Sequence, residues 1–449
     1  MSNRLPQLGP DERRLILNCA RLELDGPLLH QTEEILQKPL VWDAVLLFAE
    51  LHSVAPLLHY NLKRFDGEGV IPPEARRRLM QLSHRAGYRN RYYSQALREL
   101  LEAFAEAGIP VIVLKGLSLV ELVYGNLSFR PLIDLNLLIP KEALEAAEGV
   151  LMRMGYADTM PQPLQGFYRW LKSHVHLARP GDFEVHLMLQ WDVVSRPRVH
   201  AIDHPRLWKE SQPVRLSGCD TLIPSAHDLI LYLCFQPDKR GYLNVPALHV
   251  EDIAGFVFAE WSDNRLIQFT DIYEVIKNYQ GAIDWEVLIN RARASGTESS
   301  VYASLNWVTK LLGPVVEPRV LDSLRPPSPR RIRKWLFEAI VQEPKEAKSA
   351  TAVKAAFRAW WLKMQKRSQL RLIILLELLE FIFPRRDELK LYYRLHSERA
   401  VFSVYLIHVA KSLFRSALGF PPWLYCMLTR RRSSATLSEE TPSREASRP

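Results

Sequence analysis

The sequence is poor in cysteine and contains no long apolar run. Its four cysteines are scattered, with neither a Cys-x-x-Cys pair nor metal-ligand spacing, which argues against a zinc module and favours a reducing compartment. The most apolar stretch, Leu370–Phe383, is interrupted by Glu377 and Glu380 and is too short to cross a bilayer. The opening residues lack the apolar segment of a secretory signal. We therefore expect a cytoplasmic protein with no transmembrane segment, and we leave open peripheral attachment to a membrane surface.

Positive charge is spread unevenly along the 449 residues, whose net charge is +9. Residues 310–432 contain 25 Lys and Arg against 10 Asp and Glu, whereas the first 309 residues are net acidic. A basic region of this kind attracts nucleic acid, an anionic membrane surface or an acidic partner. A solvated helical face is the plainer alternative.

The periodicity of apolar residues predicts an α+β fold that is predominantly helical. A small mixed β-sheet forms the core, with helical regions on its N- and C-terminal sides. The longest predicted helix runs from Pro73 to Ala107, where Gly108 ends it. The expected divisions are an N-terminal helical region at 1–108, an α/β core at 109–224, a helical domain packed on that core at 225–313, a basic C-terminal helical region at 314–432 and a disordered tail at 433–449.

The predicted core begins with strand, turn, helix, strand and helix in that order. An apolar run at 109–114 ends at Lys115-Gly116, and a second run at 132–139 alternates along its length. Because side chains alternate across a strand, Asp134 and Asn136 share one face of that second strand. A β-hairpin follows at 174–189, turning at 180–182, and a further β segment is expected at 213–224.

Three oxygen-bearing side chains fall on neighbouring strands of this core: Asp134, Asn136 and Glu184. Carboxylates on adjacent strands can hold divalent metal ions against phosphate oxygens, which is most of what phosphoryl-type transfer asks of a protein. Lys115-Gly116 at the preceding turn would hold phosphates through its charge and through backbone N–H groups. Each signal is common by itself, so a purely structural role for each residue remains an alternative.

A longer pattern of motifs carries a family resemblance. The segments IPVIVLKGLSLVELVY, RPLIDLNLLI, MGY and FEVHL together resemble the bacterial nucleotidyltransferase family that has a Leu-Lys-Gly turn where the polymerase-β-like superfamily more often has Gly-Ser or Gly-Gly. The likeness continues through IDWEVLINRARASG and FPRRDELKLYY. The resemblance implies transfer of a nucleoside monophosphate from an NTP, with Mg²⁺ or Mn²⁺, to an acceptor that it does not name.

Residue by residue, the resemblance makes Lys115 and Gly116 the phosphate turn and Asp134 the first metal carboxylate. Glu184 takes the place of the third carboxylate. The second falls on Asn136, where the family pattern has Asp. Asparagine is a neutral oxygen ligand, so this departure removes one negative charge from a site that must concentrate divalent cations.

Three further side chains are candidates for the same site. Ser118 is expected in the phosphate-binding turn at a helix N-terminus, and Arg130 could contact the triphosphate or instead pair with a surface carboxylate. His186 shares a strand face with Glu184 and could lie opposite His176 in the hairpin, with a metal or proton-transfer role or a structural one.

Two functions from different classes remain open on the sequence. The first is a metal-dependent nucleotidyltransferase acting on an unknown acceptor. The alternative is a catalytically impaired nucleotide-binding or scaffold protein of the same fold, which docks a partner, a membrane surface or nucleic acid through its basic C-terminal helices. Asn136 and the basic region at 310–432 favour this alternative.

Overall fold

The computed structural model describes residues 8–65, 69–159, 169, 173–193, 202–235 and 265–325. The chain divides into two compact units, one of Met1–Pro161 with Leu171–Met364 and one of Gln162–Trp170 with Gln365–Pro449. Apart from Arg169, the described residues all belong to the first unit. Most of the predicted basic region at 314–432, and the whole predicted tail at 433–449, lie outside the described residues.

The N-terminal region is helical, as the sequence predicts. Its helices are α1 Pro10–Cys19, α2 Gly26–Leu36, α3 Trp42–Leu51, α4 Ala55–Leu62 and α5 Pro73–Glu106. Helix α5 is 34 residues long, begins with a proline in its first turn, and is followed by Gly108 at φ +67°. Proline suits the first helical position because it lacks the N–H that would be unpaired there, and glycine suits the left-handed conformation that ends a helix.

In the described residues of the α/β core, seven strands form one mixed sheet. The strands are β1 Ile112–Lys115, β2 Leu135–Leu138, β3 Ala157–Asp158, β4 His174–Arg179, β5 Val185–Gln190, β6 Gln212–Leu216 and β7 Cys219–Ile223, in the spatial order β3-β4-β5-β2-β1-β7-β6. Strands β2 and β5 are parallel, as are β1 and β7, and the other neighbours are antiparallel. The fold is therefore α+β and predominantly helical, which confirms the predicted class.

The connections inside the core follow the predicted order, except that one expected β segment is two strands. The short helix α6 Leu117–Leu119 runs directly into a π-helical turn, Val120–Tyr124, and α7 Leu144–Arg153 follows β2. The predicted β4–β5 hairpin is present. The single β segment expected at 213–224 is in fact two strands, because Ser217 and Gly218 both take positive φ and form a tight turn between β6 and β7.

Helix α8 His204–Lys209 lies between β5 and β6, and its Leu207 packs in a separate cluster with Ile112 and Leu114 of β1. The helices that follow β7 share a hydrophobic core with the N-terminal helices. They are α9 Ala226–Phe235, α10 Leu266–Asn278, α11 Trp285–Ser295, α12 Glu298–Leu312 and α13 Pro318–Leu324. Leu15 and Leu57 of the N-terminal helices belong to the same buried cluster as Phe269 and Trp307. Burying apolar surface at roughly 25 cal/mol per Å² is what holds such helices together. Among the helices of the described residues, none has both the length and the apolar content needed to cross a membrane.

Candidate functional site

The turn after β1 is pressed against the start of β2. Gly116 adopts φ +85° and ψ −107°, a conformation that L side chains rarely take. A Cβ built on Gly116 would lie 3.4 Å from the backbone oxygen of Asp134 and 3.6 Å from Leu132 Cδ2. Those distances are ordinary van der Waals contacts, so glycine is favoured here by the backbone conformation, and the turn lies next to the backbone of Asp134.

An irregularity in strand pairing positions Lys115. Val113 pairs with Leu137, but Lys115 pairs with Asn136, so β1 advances two residues while β2 advances one. A bulge of this kind re-aims side chains, and bulges are common beside functional sites. Lys115 is half-buried, and burial lowers its pKa from the ordinary value, while the nearby carboxylate of Asp134 opposes that shift. The register pairs Lys115 with Asn136 of β2, and the carboxylate of Asp134, just before that strand, is close enough to act on the lysine charge.

Asp134 and Asn136 are joined by a hydrogen bond. The amide nitrogen Nδ2 of Asn136 donates to Asp134 Oδ1 at 2.9 Å. Asn136 is only 1% exposed, and its amide oxygen Oδ1 is buried without a hydrogen-bond partner. Buried polar atoms are usually paired, so this oxygen has capacity to accept a ligand, although the amide presents its nitrogen and not its oxygen to Asp134. Divalent cations accept carboxylate and amide oxygens alike.

Glu184 and His186 lie on the strand next to Asp134. Leu135 pairs with Leu187 in parallel register, and Asp134 and His186 are the residues immediately before this first pair. His186 Nε2 lies 3.2 Å from Glu184 Oε2, and the two side chains are 43% and 58% exposed. The expected face-to-face pairing of His186 with His176 is wrong, because Ala178 lies opposite His186 and Met188 lies opposite His176. Glu184 is therefore paired with a histidine and open to solvent.

Arg130 is held in a buried ion pair. Its Nε and Nη2 each donate at 2.7 Å to one oxygen of Asp271 in α10, and the two side chains are 11% and 3% exposed. Tyr124 also donates to Asp271 Oδ1, at 2.8 Å. Burial alone would lower the pKa of Arg130, but the Asp271 carboxylate raises it above the ordinary value. The partner of Arg130 is thus a buried carboxylate and not the surface one considered from sequence.

Two polar residues of α5 fix the backbone around the site. Asn90 Nδ2 donates to the carbonyl oxygens of Leu127 and Arg130, at 2.7 Å each, and Asn90 Oδ1 accepts from the Leu132 amide at 3.1 Å. The Tyr93 hydroxyl lies 2.9 Å from the Ile133 carbonyl oxygen and 3.1 Å from that of Glu184. Both residues are 0% exposed. They tie together the loop before β2 and the start of β5.

The residues that hold the site in place, but were not predicted, are all polar residues on the buried face of a helix. Asn90 and Tyr93 lie three positions apart on the apolar stripe of α5, and Asp271 lies on the buried face of α10. A polar residue at an apolar position of an amphipathic helix must find a partner, because burying it unpaired is costly. Such a residue marks a long-range contact, although the sequence does not name the partner.

The structure does not bring all of the predicted site residues together. Ser118 follows the turn but is 4% exposed, so it faces the interior. Within the part of the chain that the structure describes, no cluster of three or more His, Cys, Asp and Glu side chains has metal-binding geometry. The compact part of the site is the Lys115–Gly116 turn with Asp134 and Asn136, while Glu184 lies one strand away.

The order of strand, glycine turn, short helix and second strand, with a carboxylate immediately before that second strand, is the order that the sequence predicts for the core. Residues 38–313, well over half of the chain, match the model of a family described as uncharacterised nucleotidyltransferase. The chain belongs to this family. No curated protein matches it.

Proposed function

We propose that this protein is a metal-dependent nucleotidyltransferase, of the bacterial type with a Leu-Lys-Gly turn, that moves a nucleoside monophosphate from an NTP to an acceptor. The observation that carries the proposal is the close approach of the Gly116 turn to the backbone of Asp134, with Lys115 paired to Asn136 beside it. An acceptor oxygen would form a bond to the α-phosphorus, and the bond from the α-phosphorus to the bridging oxygen would break. Pyrophosphate would leave with the electron pair, and the acceptor proton would pass to water.

Each residue of the site has a distinct part in this proposal. Lys115 and the backbone N–H groups of the turn would bind the triphosphate. Asp134 and Glu184 would hold Mg²⁺ or Mn²⁺, with the unpaired amide oxygen of Asn136 as a further ligand. The metal, when bound, would neutralise charge on the phosphate oxygens.

The remaining candidate residues have smaller parts. Arg130 would support the site indirectly, by holding the loop before β2 to Asp271. Its Nε and Nη2 atoms donate to Asp271 and so are not available to bind phosphate. Ser118 would act through the backbone of the turn, because its side chain is buried. His186 would orient Glu184 through the 3.2 Å contact. The protein is expected to work in the cytoplasm, where NTP and Mg²⁺ are available.

The transfer can be tested with NTPs labelled at the α-phosphate. We expect the wild-type protein, given Mg²⁺ or Mn²⁺ and a lysate of its host, to move the label onto a defined cellular component. NTP labelled at the γ-phosphate should leave that component unlabelled, because the γ-phosphate departs in pyrophosphate. Label transfer from the γ-position that requires this protein, and does not occur in the lysate alone, would instead show a kinase and contradict the proposal.

A second function is favoured by Asn136. Because its amide donates a hydrogen bond to Asp134 where a second carboxylate is expected, the native chain could bind nucleotide and transfer it slowly or not at all. In that case it would serve as a nucleotide-dependent scaffold. The two functions share the nucleotide site and differ only in turnover.

The variant Asn136→Asp separates them. It places two carboxylates within hydrogen-bond distance in a buried position, so we expect a lower Tm without metal, because like charges repel. With Mg²⁺ and NTP we expect faster transfer by roughly tenfold or more, since each 1.36 kcal/mol at the transition state is about tenfold in rate.

The control for this variant is Asn136→Leu, which removes the hydrogen bond without adding charge. Slower transfer by Asn136→Asp than by wild type would show that the amide is the group the native enzyme requires. No transfer by wild type together with transfer by Asn136→Asp would establish the impaired binder.

A further inference from the structure

A single tyrosine hydroxyl of α5 bonds to the backbone of both segments that carry the predicted carboxylates. The hydroxyl oxygen of Tyr93 lies 2.9 Å from the carbonyl oxygen of Ile133 and 3.1 Å from that of Glu184. The same oxygen accepts a hydrogen bond from the backbone N–H of His186 at 3.2 Å. Because Ile133 directly precedes Asp134, this one group contacts the backbone at or beside all three candidate side chains.

The hydroxyl bridges β2 and β5 at the point where their pairing begins. The register of these parallel strands starts at Leu135 and Leu187, and the Tyr93 hydroxyl lies just before it, between the Ile133 carbonyl and the His186 amide. A tyrosine hydroxyl can donate one hydrogen bond and also accept, so it can join a carbonyl of one strand to an N–H of the other. A side chain of α5 therefore links the two strands where they enter the site.

Helix α5 lies close against both segments. A Cβ on Gly87 would meet the side chain of Ser128 in the loop before β2, and a Cβ on Gly181 in the β4–β5 turn would meet the Tyr92 hydroxyl. Tyr93 itself is 0% exposed. It can therefore affect a bound cation or nucleotide only through the backbone that it holds.

We propose that Tyr93 is a positioning residue, which sets the separation of Asp134 and Glu184 and thereby the affinity of the site for a divalent cation. The proposal rests on the proposed function, in which these two carboxylates hold Mg²⁺ or Mn²⁺. Such cations bind oxygen ligands at short distances, so both carboxylates must reach the same ion at once. Because Asn136 supplies no charge, the site depends more strongly on Glu184 being correctly placed.

The metal-dependent part of nucleotide binding tests this role without requiring turnover. Isothermal titration of each NTP into the full chain, with Mn²⁺ and with EDTA, gives the factor by which Mn²⁺ tightens binding. We expect Tyr93→Phe, which removes only the hydroxyl, to lower that factor by roughly tenfold, as loss of a group that supports metal ligands commonly does. The Kd in EDTA should stay at the wild-type value, because the phosphate turn is untouched. An unchanged factor would overturn the proposal.

A double-mutant cycle with Glu184 tests whether the hydroxyl acts through the two carboxylates. Glu184→Ala removes one of them, so adding Tyr93→Phe in that background should lower the factor no further. Residues that act as one unit show such non-additive effects, whereas independent sites add. Losses that add in the double variant would show that Tyr93 does not act by placing Glu184 against Asp134, and would overturn the proposal.

A buried hydroxyl elsewhere in the molecule provides the matched control. Ser304 of α12 donates to the Cys234 carbonyl oxygen of α9 at 2.7 Å and is 0% exposed. Ser304→Ala should lower the Tm, as Tyr93→Phe does, because a buried hydrogen bond is lost, but it should leave the Mn²⁺ factor unchanged. Equal decreases of the factor in the two variants would show a general loss of stability and overturn the positioning role.

A conservative replacement keeps the test usable where Tyr93→Phe folds poorly. Site-specific incorporation of para-aminophenylalanine at position 93 retains donors for the two carbonyl oxygens. We expect it to keep most of the wild-type Mn²⁺ factor. A folded para-aminophenylalanine protein that has lost the factor as completely as Glu184→Ala would contradict the proposal.

The wild-type titration keeps the two proposals apart. A wild-type chain that binds no NTP with Mn²⁺ would overturn the proposed function and, with it, the role of Tyr93. A wild-type chain whose NTP binding is tightened by Mn²⁺, together with a Tyr93→Phe variant that behaves identically, would overturn the positioning role alone.

Discussion

Replacing Asp134 with alanine is expected to lower nucleotidyl transfer by at least about a hundredfold, which corresponds to roughly 2.7 kcal/mol at the transition state. Among the described residues, Asp134 is the only carboxylate in the compact part of the site, beside the Gly116 turn and bonded to Asn136. Removing it takes away the charge that would hold a divalent cation against the triphosphate. Transfer of α-labelled NMP under saturating NTP and Mg²⁺ measures the effect.

The matched control is Asp220→Ala. Asp220 lies on the same sheet, in β7, but its side chain is 89% exposed, and among the described residues its ion-pair partner is Arg215 at 3.6 Å. The Asp220→Ala variant should transfer nucleotide at the wild-type rate. Equal activity of Asp134→Ala and Asp220→Ala, with both proteins folded as judged by their Tm, would remove Asp134 from the site.

The second large effect concerns stability. Changing Asp271 to asparagine should lower the free energy of unfolding by about 3–5 kcal/mol, because it leaves the guanidinium of Arg130 buried without its counter-charge. The bidentate geometry at 2.7 Å and the 11% and 3% exposure of the two side chains place the pair in the interior. Denaturant unfolding of the two proteins under identical conditions gives the difference.

Two variants make that result specific. Asp220→Asn is the same substitution at an exposed pair and should unfold almost as wild type does, since surface ion pairs contribute little. Arg130→Met/Asp271→Leu should recover part of the lost stability, because apolar replacement of a buried ion pair is often neutral, less about 1–3 kcal/mol for the Tyr124 hydroxyl that loses its acceptor. Equal stability of Asp271→Asn and Asp220→Asn would show that the pair does not hold the loop before β2 to α10.

The elements around the site follow from local sequence. A run of β-branched residues ending in Lys115-Gly116 predicts a strand and a turn, and the 34-residue α5 follows from its apolar stripe and its flanking Pro73 and Gly108. These features depend on residues close together in the chain. For that reason the strand–turn–helix–strand order and the β4–β5 hairpin could be predicted.

The connections between elements could not be predicted in the same way. Arg130 and Asp271 are 141 positions apart, and Tyr93 reaches the backbone of Glu184 across 91 positions. Nothing in the local pattern specifies such partners. The pairing irregularity that sets Lys115 beside Asn136 is also a property of the assembled sheet, and so is the opposition of His186 to Ala178.

The central claim is that the Lys115–Gly116 turn and Asp134 together bind a metal–nucleotide pair. Isothermal titration of each NTP into the wild-type chain and into Asp134→Ala, with Mg²⁺ and with EDTA, tests it most directly. We predict that wild type binds at least one NTP, that EDTA weakens this binding, and that Asp134→Ala loses the Mg²⁺-dependent part. Absence of NTP binding by wild type with either Mg²⁺ or Mn²⁺, or equal binding by the two proteins, would contradict it.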